Sequence, residues 1–295
     1  MSDFQLSCCS AADLSEEYFK ERDIRYLCFH YEVGGKEFLD DLGKTLSPEE
    51  LYKRMNEGAE TKTSQVSIGE YTDYFREILA EGQDLLHVTL SSGLTGTYNS
   101  AMIAKEIVEE EFPDRKIYVM DSLAASSGYG LLVDKLADMR DAGIDIDEVF
   151  KWGEENKLCA HHWFFSTDLT FYIRGGRVSK TAGAIGSMLN ICPLLNVDFE
   201  GHLIPREKVR TKKRVIKRTV EKMSDHVQDG KDYSGRVFIS HSCCEEDARQ
   251  VGELIEKKFP KLSSPIKYFP IGATIGSHTG PGTVALFFWG DKRED

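Results

Sequence analysis

The sequence predicts an α/β chain of two domains: a Rossmann-like domain on a parallel sheet, then an α+β domain whose sheet is largely antiparallel. Two observations predict it. Strand and helix signals alternate at crossover spacing over residues 84–143, and two strand-like runs flank a tight turn over residues 191–210.

The first unit starts with "DLLHVTL" (84–90), an aliphatic run of strand length, and the turn "SSGLTGT" (91–97) follows it. "TYNSAMIAKEIVEEEF" (97–112) then sets Tyr98, Ala101, Met102, Val108 and Phe112 on one helical face. A second strand signal, "KIYVMDS" (116–122), leads into a helix with Leu132, Leu136 and Met139 at helical spacing and Gly143 as its stop. Strands joined through helices in this way lie parallel. "DIDEVFKWGEENK" (145–157) reads as one more helix, and the boundary is placed near residue 157, giving domains 1–157 and 158–295.

In the second half, "HHWFFSTDLTFYIRGGRVSK" (161–180) reads as a strand, a helix capped by Asp168, and a stop at Gly175-Gly176. "ICPLLNVDFEGHLIPREKVR" (191–210) reads as two antiparallel strands turning at Glu200-Gly201. Two charged helices, "TKKRVIKRTVEKMSDHV" (211–227) and "EEDARQVGELIEKKF" (245–259), flank the strand "RVFISHS" (236–242). The last strand, "TVALFFW" (283–289), fits either sheet.

A composition of 41% hydrophobic and 29% charged residues over 295 positions supports a real core. The formal charge of −12 argues against nonspecific binding to nucleic acid or an anionic membrane. No apolar run approaches the ~20 residues that span a bilayer, and the start has no basic segment followed by an apolar one. Cytoplasmic location without stable membrane insertion is the expectation. The seven cysteines include no Cys-x-x-Cys, so neither a disulfide framework nor a zinc site is indicated.

Four polar turns compete for a ligand: Ser91 to Thr97, "MDSLAASSGYG" (120–130), "GSHTGPG" (276–282), and "TKTSQVS" (61–67). Serines before helices are often only N-caps, which is the reading given to Ser126, Ser127 and Ser67. Hydroxyls and free N–H groups at a helix N-terminus suit an anion. "SSGLTGT" matches neither G-x-x-x-x-G-K-[ST], nor G-x-G-x-x-G, nor the G-x-S-x-G elbow, so a carboxylate fits it better than a triphosphate. The stretch "PREKVRTKKRVIKR" (205–218) concentrates cations in an acidic chain and is a solvated face or a docking patch.

"TSQVS" (63–67), "LSSGLTGTYNSA" (90–101), "DSLAASSGYG" (121–130), "YIRGGRVSK" (172–180), "LNICPLL" (189–195) and "GSHTGPG" (276–282), in this order, resemble the DegV family. The resemblance implies a two-domain binding protein, without chemistry of its own, that holds a long-chain fatty acid between its domains. It further implies a partner, a fatty acid kinase subunit that uses ATP to make an acyl phosphate, and no cofactor in this chain. By resemblance, the carboxylate falls to Thr63 or Ser64, Ser91 or Ser92, and His278 with Thr279. Arg174, Arg177 and Arg210 match positions facing the phosphoryl donor or kinase. Ile185, Met188, Leu189 and Ile191 are the candidates for the acyl-chain wall. Two departures stand out: Cys9 occupies the usual Asp position, and Thr95 replaces a serine while keeping the hydroxyl. Residues 20–45 match only loosely. Two other readings stay open: an acyl hydrolase or transferase with Ser92 as nucleophile, His278 as base and Asp121 as orienting acid, and a sugar- or phosphate-ligand sensor on a Rossmann-like frame.

Overall fold

The computed structural model describes residues 4–179 and 191–294. A four-stranded parallel sheet has the order β2-β1-β6-β7, from β1 (Phe4–Cys9), β2 (Ile24–Leu27), β6 (Asp84–Thr89) and β7 (Ile117–Asp121). Helices α4 (Thr97–Glu111), α5 (Ser126–Asp141) and α6 (Ile146–Asn156) follow β6 and β7 in the predicted order. The central strands are buried on both faces, as a parallel sheet covered by helices requires: every residue of β1 is buried, and all of β6 but Asp84.

A second sheet of six strands has the order β10-β9-β8-β13-β11-β12. Its members are β8 (Ala160–Phe165), β9 (Ile191–Val197), β10 (Leu203–Arg210), β11 (Phe238–His241), β12 (Lys267–Pro270) and β13 (Val284–Trp289). All pairs are antiparallel except β11 with β12. β13 thus returns to the second sheet, between β8 and β11. Pro205, which cannot donate to a ladder, sits on the edge strand β10 at a bulge. Alternation along the strands divides the side chains between two cores. Trp163, Phe165, Leu286 and Phe288 pack with Val215, Val220, Val251 and Ile255 of α8 (Lys212–His226) and α9 (Glu245–Lys258). Phe164, Ala285 and Phe287 face the other way, into the core shared with the parallel sheet.

The sequence reading missed a third sheet. β3 (His30–Val33) lies between β4 (Lys36–Leu39) and β5 (Thr61–Ser64), all antiparallel, with α2 (Pro48–Asn56) packed against it through Leu51, Tyr52 and Met55. Its strands are four residues long and β4 is half charged, so period-2 patterning is too short to register.

The cap readings divide. Ser67 caps α3 (Ile68–Ala80) in a full capping box with Glu70. Ser126 and Ser127 cap nothing: the Ser126 hydroxyl donates to Asp13 Oδ2 (2.5 Å) and the Ser127 hydroxyl to the Asp13 carbonyl (2.9 Å). Asp13 is fully enclosed, and a buried carboxylate demands donors more strongly than a helix end does. Asp168 is not the cap: Leu169 holds the N-cap position of α7 (Thr170–Arg174) with no side-chain cap, and Asp168, one residue earlier, accepts from Thr170 N (2.9 Å). Gly175 ends that helix, as predicted. The stretch 276–282 is not all corner: Gly276 to Thr279 belong to α10 (Ala273–Thr279), and the turn starts at Gly280.

The β9–β10 turn reaches back to the parallel sheet. Ser91 Oγ donates to the Gly201 carbonyl (3.0 Å), and Arg293 ties Asp198 O (2.7 Å) to Leu123 O (2.8 Å). Gly201 has φ +81°, and a Cβ there would lie 2.0 Å from Ser91 Oγ. Gly201→Ala is therefore expected to lower the unfolding free energy by roughly 2–4 kcal/mol, combining left-handed strain with a clash. Gly230→Ala, at φ +55° with open space around its Cβ, should cost only about 1 kcal/mol. Urea unfolding of the two variants checks the contrast.

Candidate functional site

Between the two large sheets lies a cavity of about 400 Å³. Its walls are largely apolar: Phe164, Ala285 and Phe287 from the second sheet, Leu90 and Ala125 beyond β6 and β7, and Ile275 from α10. Size and lining are those of a site for a small, mostly apolar ligand. The polar lining includes Thr63, Ser64 and Gln65, Thr95 and Gly96, Arg177, and His278 with Thr279. Four separate segments of the chain supply these groups.

Alternation along β5 turns Thr61 and Thr63 to α10. The Thr61 hydroxyl donates to the Ser277 carbonyl (3.1 Å), and Thr63 Oγ1 lies 2.7 Å from His278 Nε2. Next along the chain, Gln65 accepts from the Thr95 hydroxyl (3.0 Å) and donates to Ser100 Oγ (2.8 Å). It thereby fixes the turn that opens α4. Gly96 is the N-cap of α4 and provides no side-chain cap, and the first turn carries no acid. The free N–H groups and the positive end of the helix dipole are thus left without a carboxylate of the helix's own.

His278 is neutral near pH 7: burial, reinforced by the Arg177 charge, pushes its pKa down to about 4. Its Nδ1 has no partner among the described residues and is packed against Gly175, where a Cβ would stand 2.4 Å away. Buried orphan N–H groups are rarer than orphan acceptors, so the hydrogen belongs on Nε2. Nε2–H then donates to Thr63 Oγ1, and the Thr63 hydroxyl hydrogen is free for a ligand. Arg177 is half-buried and donates to two carbonyls, Gly175 O (2.5 Å) and Leu94 O (3.2 Å). Among the described residues no carboxylate pairs with it, and burial lowers its pKa. A desolvated guanidinium, hydroxyls and an uncapped helix N-terminus form an end that can receive one anion.

The remaining predicted residues fall elsewhere. Ser91 is buried and engaged with Gly201, and it also accepts from Gly93 N (3.1 Å). Ser92 is exposed, its N–H donating to Asp121 Oδ1 (3.1 Å). Neither lines the cavity: the two serines close the turn, and Thr95-Gly96 reach the cavity instead. The catalytic constellation of Ser92, His278 and Asp121 is accordingly not assembled. The Nε2 of His278 meets Thr63, and the Asp121 carboxylate accepts backbone N–H groups of Ser92 and Leu123. Arg174 is exposed over the Phe171 ring, and Arg210 is exposed at the end of β10, across from Ile191. Ile191 does not line the cavity. Ile185, Met188 and Leu189 lie outside the described residues. Gln65 stood within a quoted motif without a role. Phe164 and Phe287 were legible only as strand residues.

Cys9 lies behind the site. Its thiol is 3.2 Å from the Tyr71 hydroxyl, which lies 2.7 Å from Thr97 Oγ1 on the first turn of α4. Burial pushes the thiol to about 12, so it stays protonated and acts as a packed hydrogen-bonding group. Among the described residues, two side-chain groups bring donor atoms within 4.8 Å of one another, as a metal would need: His161, His226 and Asp291, and Asp198, Glu200 and His202. Neither group lines the cavity.

A family model described as "Uncharacterised protein, DegV family" matches residues 9–291. A DegV domain-containing protein of Clostridium perfringens is 39% identical over 294 residues, covering 100% of both chains. Among solved structures, a DegV lipid-binding protein of Thermotoga maritima is 29% identical, with TM-score 0.85, covering 99% of this chain and 100% of its own. A second Thermotoga maritima protein, described as revealing fatty acid binding function, is 29% identical with TM-score 0.84, covering 98% of this chain and 100% of its own. This chain belongs to the DegV family.

Proposed function

We propose that this protein binds a long-chain fatty acid in the cavity between its sheets and presents the carboxylate to a separate fatty acid kinase subunit, which forms the acyl phosphate. The observation that carries the reading is Arg177. It is a half-buried cation with no acidic partner among the described residues, lining a largely apolar cavity. The lipid binding and fatty acid binding of the two Thermotoga maritima relatives support the same ligand.

In this reading the Thr63 hydroxyl, the Thr95-Gly96 turn and Arg177 receive the carboxylate, His278 orients Thr63, and Ser64 and Thr279 complete the rim. Burial of the chain contributes about 0.8 kcal/mol per CH₂, so the head-group contacts chiefly set orientation. The protein needs no cofactor of its own, since the partner uses the ATP. We place the domain boundary near residue 157 and the protein in the cytoplasm; among the described residues no helix is long and apolar enough to cross a membrane.

The kinase-facing surface is assigned to the basic stretch. Arg218 pairs with Glu207 and Glu221, and Lys212 pairs with Asp247. Lys208, Arg210, Lys213, Arg214 and Lys217 are exposed and have no acidic partner among the described residues. An acidic protein carrying unpaired cations along β10 and the first turns of α8 can be steered to an anionic partner surface.

Denaturing mass spectrometry of the purified protein should find a co-purified fatty acid; repeated absence counts against the reading. Thr63→Val should weaken fatty acid binding about tenfold, the scale of one charge-assisted hydrogen bond. Reversing Arg210 and Arg214 to Glu should weaken kinase docking and its salt dependence while fatty acid affinity stays within about twofold. Loss of fatty acid binding in that variant would show that the patch is misplaced. His278 gives a pH test. Its folded pKa of about 4 lies below the ordinary 6.5, so the unfolded chain binds the proton more readily. The stability linked to the neutral ring is complete above pH 6.5 and is lost as pH falls toward 4. Over that range His278→Gln should show a pH slope of unfolding free energy shallower by up to about 1.4 kcal/mol per pH unit.

A further inference from the structure

Helix α10 is only seven residues long and carries His278 near its C-terminal end. Its other end meets two of the most deeply buried carboxylates, Asp13 at 3% exposure and Asp40 at 2%. Gly272 N donates to Asp13 Oδ1 (2.9 Å), Ala273 N to Asp40 Oδ1 (3.4 Å) and Thr274 N to Asp40 Oδ2 (3.0 Å). Asp40 does not line the cavity.

Asp40 directly follows β4, and its own N–H donates to Phe29 O (2.8 Å), so its backbone is fixed to the small sheet. That sheet and its helix grip the same segment at further points. The Tyr52 hydroxyl donates to Ile271 O (2.9 Å), the Thr61 hydroxyl to Ser277 O, and Thr63 meets His278. The small sheet therefore holds α10 at both ends. The contacts at Ile271 and Gly272 hold the chain just before the helix, and the two bonds to Asp40 fix residues 273 and 274, the first turn itself, and so set its rotation and axial position. A carboxylate that accepts two successive N–H groups does this more rigidly than a hydroxyl cap, and it also complements the positive end of the dipole.

We propose that Asp40 is a positioning residue for the carboxylate site: by anchoring the N-terminus of α10 to the small sheet, it sets the His278 ring against Thr63 without touching the ligand. This rests on the fatty acid reading of the cavity. Asp40→Asn keeps the shape and one acceptor but turns an amide N–H toward a backbone N–H, which shifts the helix start. The probes are octadecanoic acid and octadecan-1-ol, which share the chain and differ in the head group.

In the full chain, Asp40→Asn should weaken octadecanoic acid binding about tenfold. It should leave octadecan-1-ol binding within about twofold, and the side-chain ¹⁵N signals of His278 should depart from the wild-type tautomer pattern. Thr61→Val, which loosens the other end of the same clamp, should shift both readouts in the same direction and serves if Asp40→Asn does not fold. Equal loss for acid and alcohol would reduce Asp40 to a fold-stabilising residue. Unchanged acid binding with unchanged His278 signals would overturn the proposal. If wild-type protein binds neither probe, the fatty acid reading fails, and the His278 spectrum of unliganded Asp40→Asn still decides whether Asp40 sets the ring.

Discussion

The hydrogen bond between Thr63 and His278 is the interaction on which the rest of the site depends. It joins a strand of the small sheet to the helix that walls the cavity. With Nδ1 of the ring shut against Gly175 and burial keeping the ring neutral, only Nε2 can serve Thr63, and the threonine hydrogen is then directed to a ligand. The cavity's cation, Arg177, stands beside the same ring and depresses its pKa further. In the proposed reading one anion serves both the threonine and the arginine, which line the same cavity. The remaining lining, from Phe164 to Phe287, only has to exclude water.

The architecture follows from the need to bury this polar end without losing its donors. The six-stranded sheet turns alternate residues toward two cores, and the face carrying Phe164 and Phe287 supplies one side of the wall. The β9–β10 turn pins itself to Ser91, with Arg293 linking Asp198 to Leu123. Hydroxyls that resemble ligand contacts are thus divided by the fold into two kinds of work. Ser91 and Ser127 hold segments together, Thr63 and Thr95 face the cavity, and Ser126 lines the cavity while bonded to Asp13.

Much of this was legible in the sequence, and the failures have physical causes. The crossover units over residues 84–143 and the hairpin at Glu200-Gly201 carry long periodic patterns and unambiguous turn residues, and both form as expected. The small sheet escaped notice because four-residue strands with charged members leave no period to detect, so Asp40 could not be read as a cap for a helix more than two hundred residues away. The motif "SSGLTGT" revealed an anion-suited helix start but not which hydroxyl points inward. That depends on Ser91 being claimed by Gly201, a contact made 110 residues further along the chain. Ser126 and Ser127 misled for a related reason: local cap statistics carry no information about an enclosed Asp13 next to them.

The central claim is that the polar end formed by Thr63, Thr95-Gly96, Arg177 and His278 receives a fatty acid carboxylate. A crystal structure of the protein with octadecanoic acid tests it most directly. The account predicts carboxylate oxygens within hydrogen-bond distance of Thr63 Oγ1 and beside Arg177, with the chain running past Phe164 and Phe287. A head group seated against Ser126 and His162 instead, or a chain bound outside the cavity, would contradict it.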